Sequence, residues 1–286
     1  MKKTIAMILA AALVLGLLAG CGQNGNETKA ANRLDEILER GYITVATEPY
    51  FAPQEFIDPS KEGDAQYVGS DIELAKLIAE KLGVECRIVP LDFTTVLSSV
   101  TEGKYDLAIS ALAYKPDRAE NMNLSDAYYT GDDDDDNSYG FAMAEGLVGT
   151  VTDISELADK VVVVQQGSLQ QFLWEQSGAT CKELKYVSST NDAFMMVSEG
   201  KADAVITATA FARLYIEANA GCGIVMCEEY RFDVDDKYTG MVIGMQKGED
   251  ELLARINEII AEVVASGVYA EWVKEYKAYA AELGLA

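Results

Sequence analysis

Arg118 is the residue in this chain best placed for recognition chemistry, because it follows directly on the end of an apolar run, residues 105–112, that reads as a buried strand. Ser110 and Ala111 close that run, and Lys115, Pro116 and Asp117 turn the chain into the segment that carries Arg118. In open α/β sheets ligands bind in the crevice beyond the carboxyl ends of strands. A guanidinium there grips a carboxylate through two parallel hydrogen bonds. Two readings follow: a clamp for an anionic ligand, or an arginine paired with a neighbouring acid. Gly167 and Ser168 are a second candidate, standing between the apolar run 160–164 and a helical segment over 169–176. Free N–H groups at a helix start suit an anion or a polar ligand, and an ordinary helix cap would use the same residues. The loop 47–56 holds two prolines and the aromatics Tyr50, Phe51 and Phe56. Aromatics after a strand end are core anchors or a stacking wall; Phe56 suits the first, Tyr50 and Phe51 the second.

The elements that must hold these residues alternate along the chain. A short amphipathic helix over 34–40 stops at Gly41, and a strand follows over 42–46. The spacing of Ile72, Ala75, Ile78, Ala79 and Leu82 predicts a helix over 70–82, capped by Ser70 or Asp71 and ended by Gly83. A strand over 86–90 ends beside Asp92 and Phe93, before a helix over 95–101. Strand and helix in alternation imply a parallel sheet with helices on its faces. Gly103-Lys104-Tyr105-Asp106 and Gly200-Lys201-Ala202-Asp203 then lie in matching stretches 97 residues apart, each a helix end, a turn and a strand finishing in a hydroxyl residue, Ser110 or Thr207. Such a period is too long for a solenoid and fits two similar lobes. Later come strands over 183–187, 204–207 and 240–245, helices over 191–198 and 252–266, and a last helix with Tyr269, Trp272, Val273 and Tyr276 inward.

Composition bounds the class. Residues 1–21 read as a lipoprotein signal peptide: Lys2 and Lys3, a short apolar run, and Leu18-Ala19-Gly20-Cys21, which resembles a bacterial lipobox with Cys21 as the lipidated residue. The apolar run is shorter than the roughly 20 residues a spanning helix needs. Residues 22–32 suit a flexible tether. Cleavage removes two lysines and takes the formal charge from −24 to −26, which repels nucleic acid. About 255 residues remain beyond the tether, enough for one large or two modest domains. Cys86, Cys181, Cys222 and Cys227 are open to disulfides in an exported chain, with a 222–227 bridge or buried thiols as alternatives. No histidine and no Cys-x-x-Cys pair occur, so a zinc site is not expected. The aspartate run 132–136 fails as a calcium loop, since a loop begun at Asp132 puts Asn137 where glycine is required and Met143 where the bidentate glutamate belongs. A solvated, self-repelling loop is the expectation.

The order of these features resembles bacterial extracellular solute-binding protein family 3, the receptors of polar amino acid ABC importers. The resemblance spans residues 34–276 and rests on the segments 40–47, 53–56, 69–75, 103–106, 116–118, 124–129, 166–168, 200–203 and 247–250. It implies a two-lobed α/β fold of the type II periplasmic-binding-protein kind, each lobe a mostly parallel sheet flanked by helices, with two hinge strands. The implied division is lobe 1 over 33–130 and 237–286, lobe 2 over 139–232, and a hinge over 131–138 and 233–236. It further implies that Phe51 and Phe93 stack on a small carboxylate-bearing ligand, that Ser110 and Ala111 touch it, that Arg118 clamps its carboxylate, and that Gln165, Gly167 and Ser168 close over it. Tyr50, Thr207 and Thr209 complete the expected contacts.

Two departures bear on the ligand. Ala113 stands where the family usually has a hydroxyl facing the carboxylate, and Ala208 where it usually has an aspartate for the α-ammonium. Either another acid takes the amine, with Glu48 beside Phe51 the candidate, or the ligand is not a standard α-amino acid. The expectation is therefore an exported, lipid-anchored, monomeric receptor on the outer face of the cell membrane. It hands an amino acid or a relative to an ABC permease and its ATPase, and it needs no cofactor and no catalysis. The alternatives are a cyclohexadienyl-dehydratase-like enzyme, for which residues 207–209 supply no general acid, and a sensory module acting through a partner.

Overall fold

The computed structural model describes residues 32–131 and 138–284. The signal peptide, Cys21, the tether up to residue 31 and the aspartate run 132–136 lie outside the described residues, as do hinge positions 132–137.

The chain opens with α1, Arg33–Arg40, capped by the Asn32 side chain and stopped at Gly41, whose φ of 74° suits glycine. It continues through β1, Tyr42–Thr47, the small antiparallel flap β2, Tyr50–Phe51, β3, Glu55–Ile57, and β4, Tyr67–Val68, then α2, Ser70–Leu82, and β5, Glu85–Pro90. Next come α3, Phe93–Thr101, capped by Asp92, β6, Leu107–Ala108, α4, Pro116–Asn121, and β7, Met122–Leu124. The second lobe holds β8, Tyr139–Ala144, β9, Val161–Gln165, α5, Leu169–Ser177, β10, Glu183–Val187, α6, Thr190–Ser198, β11, Ala204–Ala208, α7, Thr209–Ala218, and β12, Ile224–Met226. The chain then returns to the first lobe with β13, Gly244–Gln246, α8, Asp250–Ser266, and α9, Val268–Leu283.

Two five-stranded sheets result, ordered β5-β1-β6-β13-β7 and β10-β9-β11-β8-β12. The orders are equivalent, with β6 and β11 at matching central places. Each sheet is parallel on one side only, since β13 and β8 pair antiparallel with both neighbours. Four of the five strands in each sheet run the same way, so the sheets are mostly parallel as expected, with β13 or β8 as the one reversed strand. The cause is chain direction: β8 and β13 each begin where the chain has just crossed from the other lobe, so they run away from the cleft toward which their parallel neighbours run. The crossings pair with each other, Met241 N donating to Tyr129 O at 2.8 Å and Phe232 N to Tyr139 O at 2.8 Å.

The repeat explains itself in backbone terms. Lys104 N donates to Ser99 O and Lys201 N to Met196 O, both at 2.8 Å, with Gly103 and Gly200 at φ of 72° and 70°. This is a Schellman helix stop in both lobes. The aspartates then pin the adjacent strand: Asp106 Oδ2 accepts from Thr44 N, and Asp203 Oδ2 from Val161 N, each at 2.7 Å.

Three expectations change. The strand over 105–112 shortens to β6, because Ala111 takes a φ of 45° and turns the chain out of the sheet. The strand over 240–245 shifts to β13, since Met241 is engaged with Ala113 and Tyr129 instead. Ser70 and Asp71 do not cap α2: Gly69 lies so close to the loop before β3 that a Cβ would meet Gln54 O at 2.1 Å. That approach lets Pro53 and Gln54 carbonyls take the first helical N–H groups, and the Ser70 and Asp71 side chains turn into the core.

The core of lobe 1 packs Ile43, Val45, Leu107 and Ile243 against Ile256, Ile259 and Ile260 of α8. Lobe 2 buries apolar side chains on both faces of its sheet, which accounts for the unbroken apolar run of β9. Cys86, Cys181, Cys222 and Cys227 are all free thiols. Among the described residues no helix is long and apolar enough to cross a membrane.

Candidate ligand-binding site

A cavity of about 90 Å³ lies where the carboxyl ends of both sheets face each other. Its size suits a small solute. Lobe 1 contributes the end of β1 (Glu48), the flap (Phe51), the start of α3 (Phe93), the turn after β6 (Ser110, Ala111, Ala113) and Arg118 of α4. Lobe 2 contributes the ends of β9 and β11 and the helices that follow them.

The lining holds one buried arginine. Arg118 is only 6% exposed and donates to Ala113 O and, across the cleft, to Gly167 O at 3.0 Å. Among the described residues it forms no ion pair, so its guanidinium is not held by a neighbouring acid. Burial pushes its pKa down to about 10, which leaves it charged at neutral pH. Lys115 Nζ lies 3.2 Å from Gly167 O and 3.4 Å from Ser168 O. Burial, and then the like charge of Arg118, lower its pKa. Burial also pushes the Tyr139 hydroxyl up to about 12, so it stays a neutral phenol.

The turn after β6 rests on a buried network. Asp71 accepts from Ala111 N at 2.7 Å, Tyr128 OH at 2.9 Å and Tyr269 OH at 2.6 Å. Those bonds hold Ala111 in a left-handed conformation that costs a non-glycine residue ~1–2 kcal/mol. Glu55 lies against Asp71, and burial followed by the Asp71 charge raises its pKa well above the usual range. Ser110 Oγ donates to Glu55 and accepts from Glu48 N, both at 3.0 Å.

The lining also holds an acid. Glu48 is 1% exposed and its Oε1 has no hydrogen-bond partner. Burial raises its pKa well above the usual range, a hydrogen bond to Gln165 opposes that shift, and the charges of Asp192 and Asp92 add to it. Gln165 is itself oriented by Ser188 O and the Thr190 hydroxyl.

Of the residues singled out from sequence, Glu48, Phe51, Phe93, Ser110, Ala111, Ala113, Arg118, Gln165 and Ser168 line this cavity. Tyr50, Gly167, Thr207 and Thr209 do not. Tyr50 lines a separate groove outside the flap. Gly167 donates its N–H to Gln171 Oε1 at 2.7 Å and presents its carbonyl to Arg118 and Lys115. Ser168 is an ordinary cap, accepting from Gln171 N. The Thr207 and Thr209 hydroxyls bond to Ala208 O and Ser138 O. Phe211 went unnoticed in sequence; its ring stacks on Phe51 across the cleft, centroids 4.7 Å apart and planes 1° from parallel. The signal available for it was its position four residues past Thr207 at the equivalent strand end.

Two similar α/β lobes joined by paired crossings, with a buried polar cavity between them, define a type II solute-binding protein. The chain matches the family model "Bacterial extracellular solute-binding proteins, family 3" over residues 43–278, and it belongs to that family. It is 25% identical to the arginine-binding extracellular protein ArtP of Bacillus subtilis over 93% of this chain and 94% of that one. It is 26% identical to ABC transporter arginine-binding protein 1 of Escherichia coli, over 79% of this chain and 87% of that one. Among solved structures it resembles the amino acid ABC transporter substrate-binding protein AbpA of Streptococcus pneumoniae bound to L-arginine. That match has a TM-score of 0.74 and 28% identity, covering 88% of this chain and 99% of that one. The chain is an extracytoplasmic solute-binding receptor.

Proposed function

We propose that the receptor captures a small solute carrying both a carboxylate and a cationic group, of the cationic amino acid kind, and delivers it to an ABC permease and its ATPase. One observation carries this reading: Arg118 and Glu48 both line the cavity, both are buried, and among the described residues neither forms an ion pair. An unpaired buried ionic group costs several kcal/mol. A zwitterionic ligand offsets both costs at once, with its carboxylate on the Arg118 fork and its cation on Glu48. Phe93 and Phe51 flank the space between. The arginine-binding relatives support the same assignment. Residues 33–130 with 237–286 and residues 139–232 serve as the two closing lobes, and a lipid on Cys21 holds the receptor at the outer face of the cell membrane.

The test is calorimetric titration of the purified receptor with arginine, lysine, histidine, glutamate, leucine and their simple organic-acid counterparts. A cationic carboxylate should be the tightest ligand. Preference for glutamate or leucine, or binding of none of them, would sink the assignment.

A further inference from the structure

Phe211, in the first turn of α7, meets Phe51 of the flap face to face across the cleft, with ring centroids 4.7 Å apart and planes 1° from parallel. Its ring is 2% exposed and is held in place by the edge of Phe194, whose centroid lies 5.6 Å away at an interplanar angle of 60°. Phe211 and Ala52 line the ligand cavity and also line a groove of about 380 Å³ outside the flap, walled by Tyr50, Phe56 and Tyr215. The stacked pair is therefore a partition, with the cavity of about 90 Å³ on one side and the larger groove on the other. This partition stands away from the arginine. Ala113, whose carbonyl holds Arg118, packs with Val162 and Val164 on one face of the lobe 2 sheet, whereas Phe51 and Phe211 pack with Val163 on the other.

Resting on the reading of this cavity as a site for a cationic carboxylate, we infer that Phe211 is the residue that limits ligand length, by closing the cavity off from the groove beside it. The ligand class is then cationic carboxylates whose side-chain cation ends the molecule, and compounds with further carbons built onto that cation are excluded. A ligand with its carboxylate on Arg118 extends its far end toward the stack. Extra carbons there must displace Phe51 or Phe211 from a packed contact, and overpacking of that kind is unfavourable. Removing the Phe211 ring joins the cavity to a groove with the volume to take them. The stack also holds the two lobes together, so its loss weakens every ligand through the closure equilibrium. That effect is shared by long and short ligands alike, whereas the length limit separates them.

Calorimetry with two series of equal charge and graded length tests this: L-arginine with its Nω-methyl and Nω-propyl derivatives, and L-lysine with its Nε-methyl and Nε-propyl derivatives. In each series that binds, wild type should hold the propyl compound at least about tenfold more weakly than the parent, with the methyl compound between them. Phe211→Ala should weaken the parent through the lost stack and bring the propyl compound to within about threefold of it. Phe211→Leu, which keeps most of the buried apolar volume, should narrow the gap by about threefold. Melting temperatures of the ligand-free variants confirm that each is folded, and the leucine variant decides if the alanine variant is not. A wild-type gap of less than about threefold, or a gap that keeps its wild-type size in the folded variants, overturns the inference while leaving the receptor for cationic carboxylates intact. If wild type binds neither parent, the reading beneath it falls as well.

Discussion

Replacing Arg118 separates a ligand clamp from a structural tie. NH1 is committed to Ala113 O and NH2 to Gly167 O, and the rest of the donor fork is left for the cavity that Arg118 lines. If a ligand carboxylate sits there, Arg118→Ala breaks a buried ion pair, a loss of ~3–5 kcal/mol. At about 1.4 kcal/mol per tenfold, affinity falls roughly a hundredfold to several thousandfold. The ligand-free protein loses much less. Gly167 O keeps Lys115 at 3.2 Å, so only Ala113 O is left without its donor, at ~1–3 kcal/mol. Relief from burying an unpaired guanidinium offsets part of that. In a chain of this size ~1 kcal/mol moves the melting temperature by about 2–4 °C, so the ligand-free melt should shift by a few degrees. Arg118→Lys keeps the charge but not the fork, and losing one charge-assisted bond of ~1.5–3 kcal/mol should weaken binding roughly ten- to a hundredfold. Calorimetry and ligand-free melts on the same preparations give both quantities. An alanine variant that binds within tenfold of wild type yet melts many degrees lower would mean that Arg118 only ties the lobes together.

Other substitutions probe the frame around the site. Asp71→Ala leaves Ala111 N and the hydroxyls of Tyr128 and Tyr269 without their shared acceptor; at ~1–3 kcal/mol for each stranded donor this approaches the whole ~5–15 kcal/mol stability of a domain. Urea denaturation should find it unfolded or nearly so, with Asp71→Asn retaining most of the stability; equal mild effects would show that the network is not structural. The raised pKa of Glu55 means the folded state binds its proton more tightly than the unfolded chain. Its stabilising contribution is therefore complete below the unfolded value near ~4.3 and is lost as pH rises through the folded value. Glu55→Gln should flatten the fall in unfolding free energy above about pH 4, and an unchanged pH profile would contradict the raised pKa of Glu55. Lys115→Met removes two bonds that cross the cleft, so ligand-free scattering should show a larger radius of gyration and affinity should drop by up to about tenfold through the closure equilibrium. An unchanged radius would deny Lys115 that role.

Most of the architecture is legible in the sequence because it depends on local chemistry. Gly41, Gly83 and Gly103 stop helices through a backbone conformation open to glycine, and the apolar run of β9 announces a strand covered on both faces. The repeat around Gly103 and Gly200 carries the same helix stop and strand anchor into both lobes, so two equivalent sheets follow from it. Arg118 and Ser110 could be nominated because a strand end followed by polar residues has the same meaning wherever it occurs in an α/β fold.

Partners distant in sequence belong to tertiary structure alone. Ser70 and Asp71 look like caps in any linear reading, yet Tyr128, Tyr269 and Glu55 claim Asp71 once α9 and the flap pack on α2. Gly167 looks like an N–H donor, and only the approach of the lobes shows its carbonyl receiving Arg118 and Lys115. Phe211 becomes part of the site because the flap brings Phe51 onto it. The sequence by itself determined the elements, their order, the duplication and the residue types at the strand ends, since those follow from periodicity and backbone preference. Which of those residues face a common cavity was decided only by the folded chain, because a shared lining depends on how two lobes close and not on spacing along a strand.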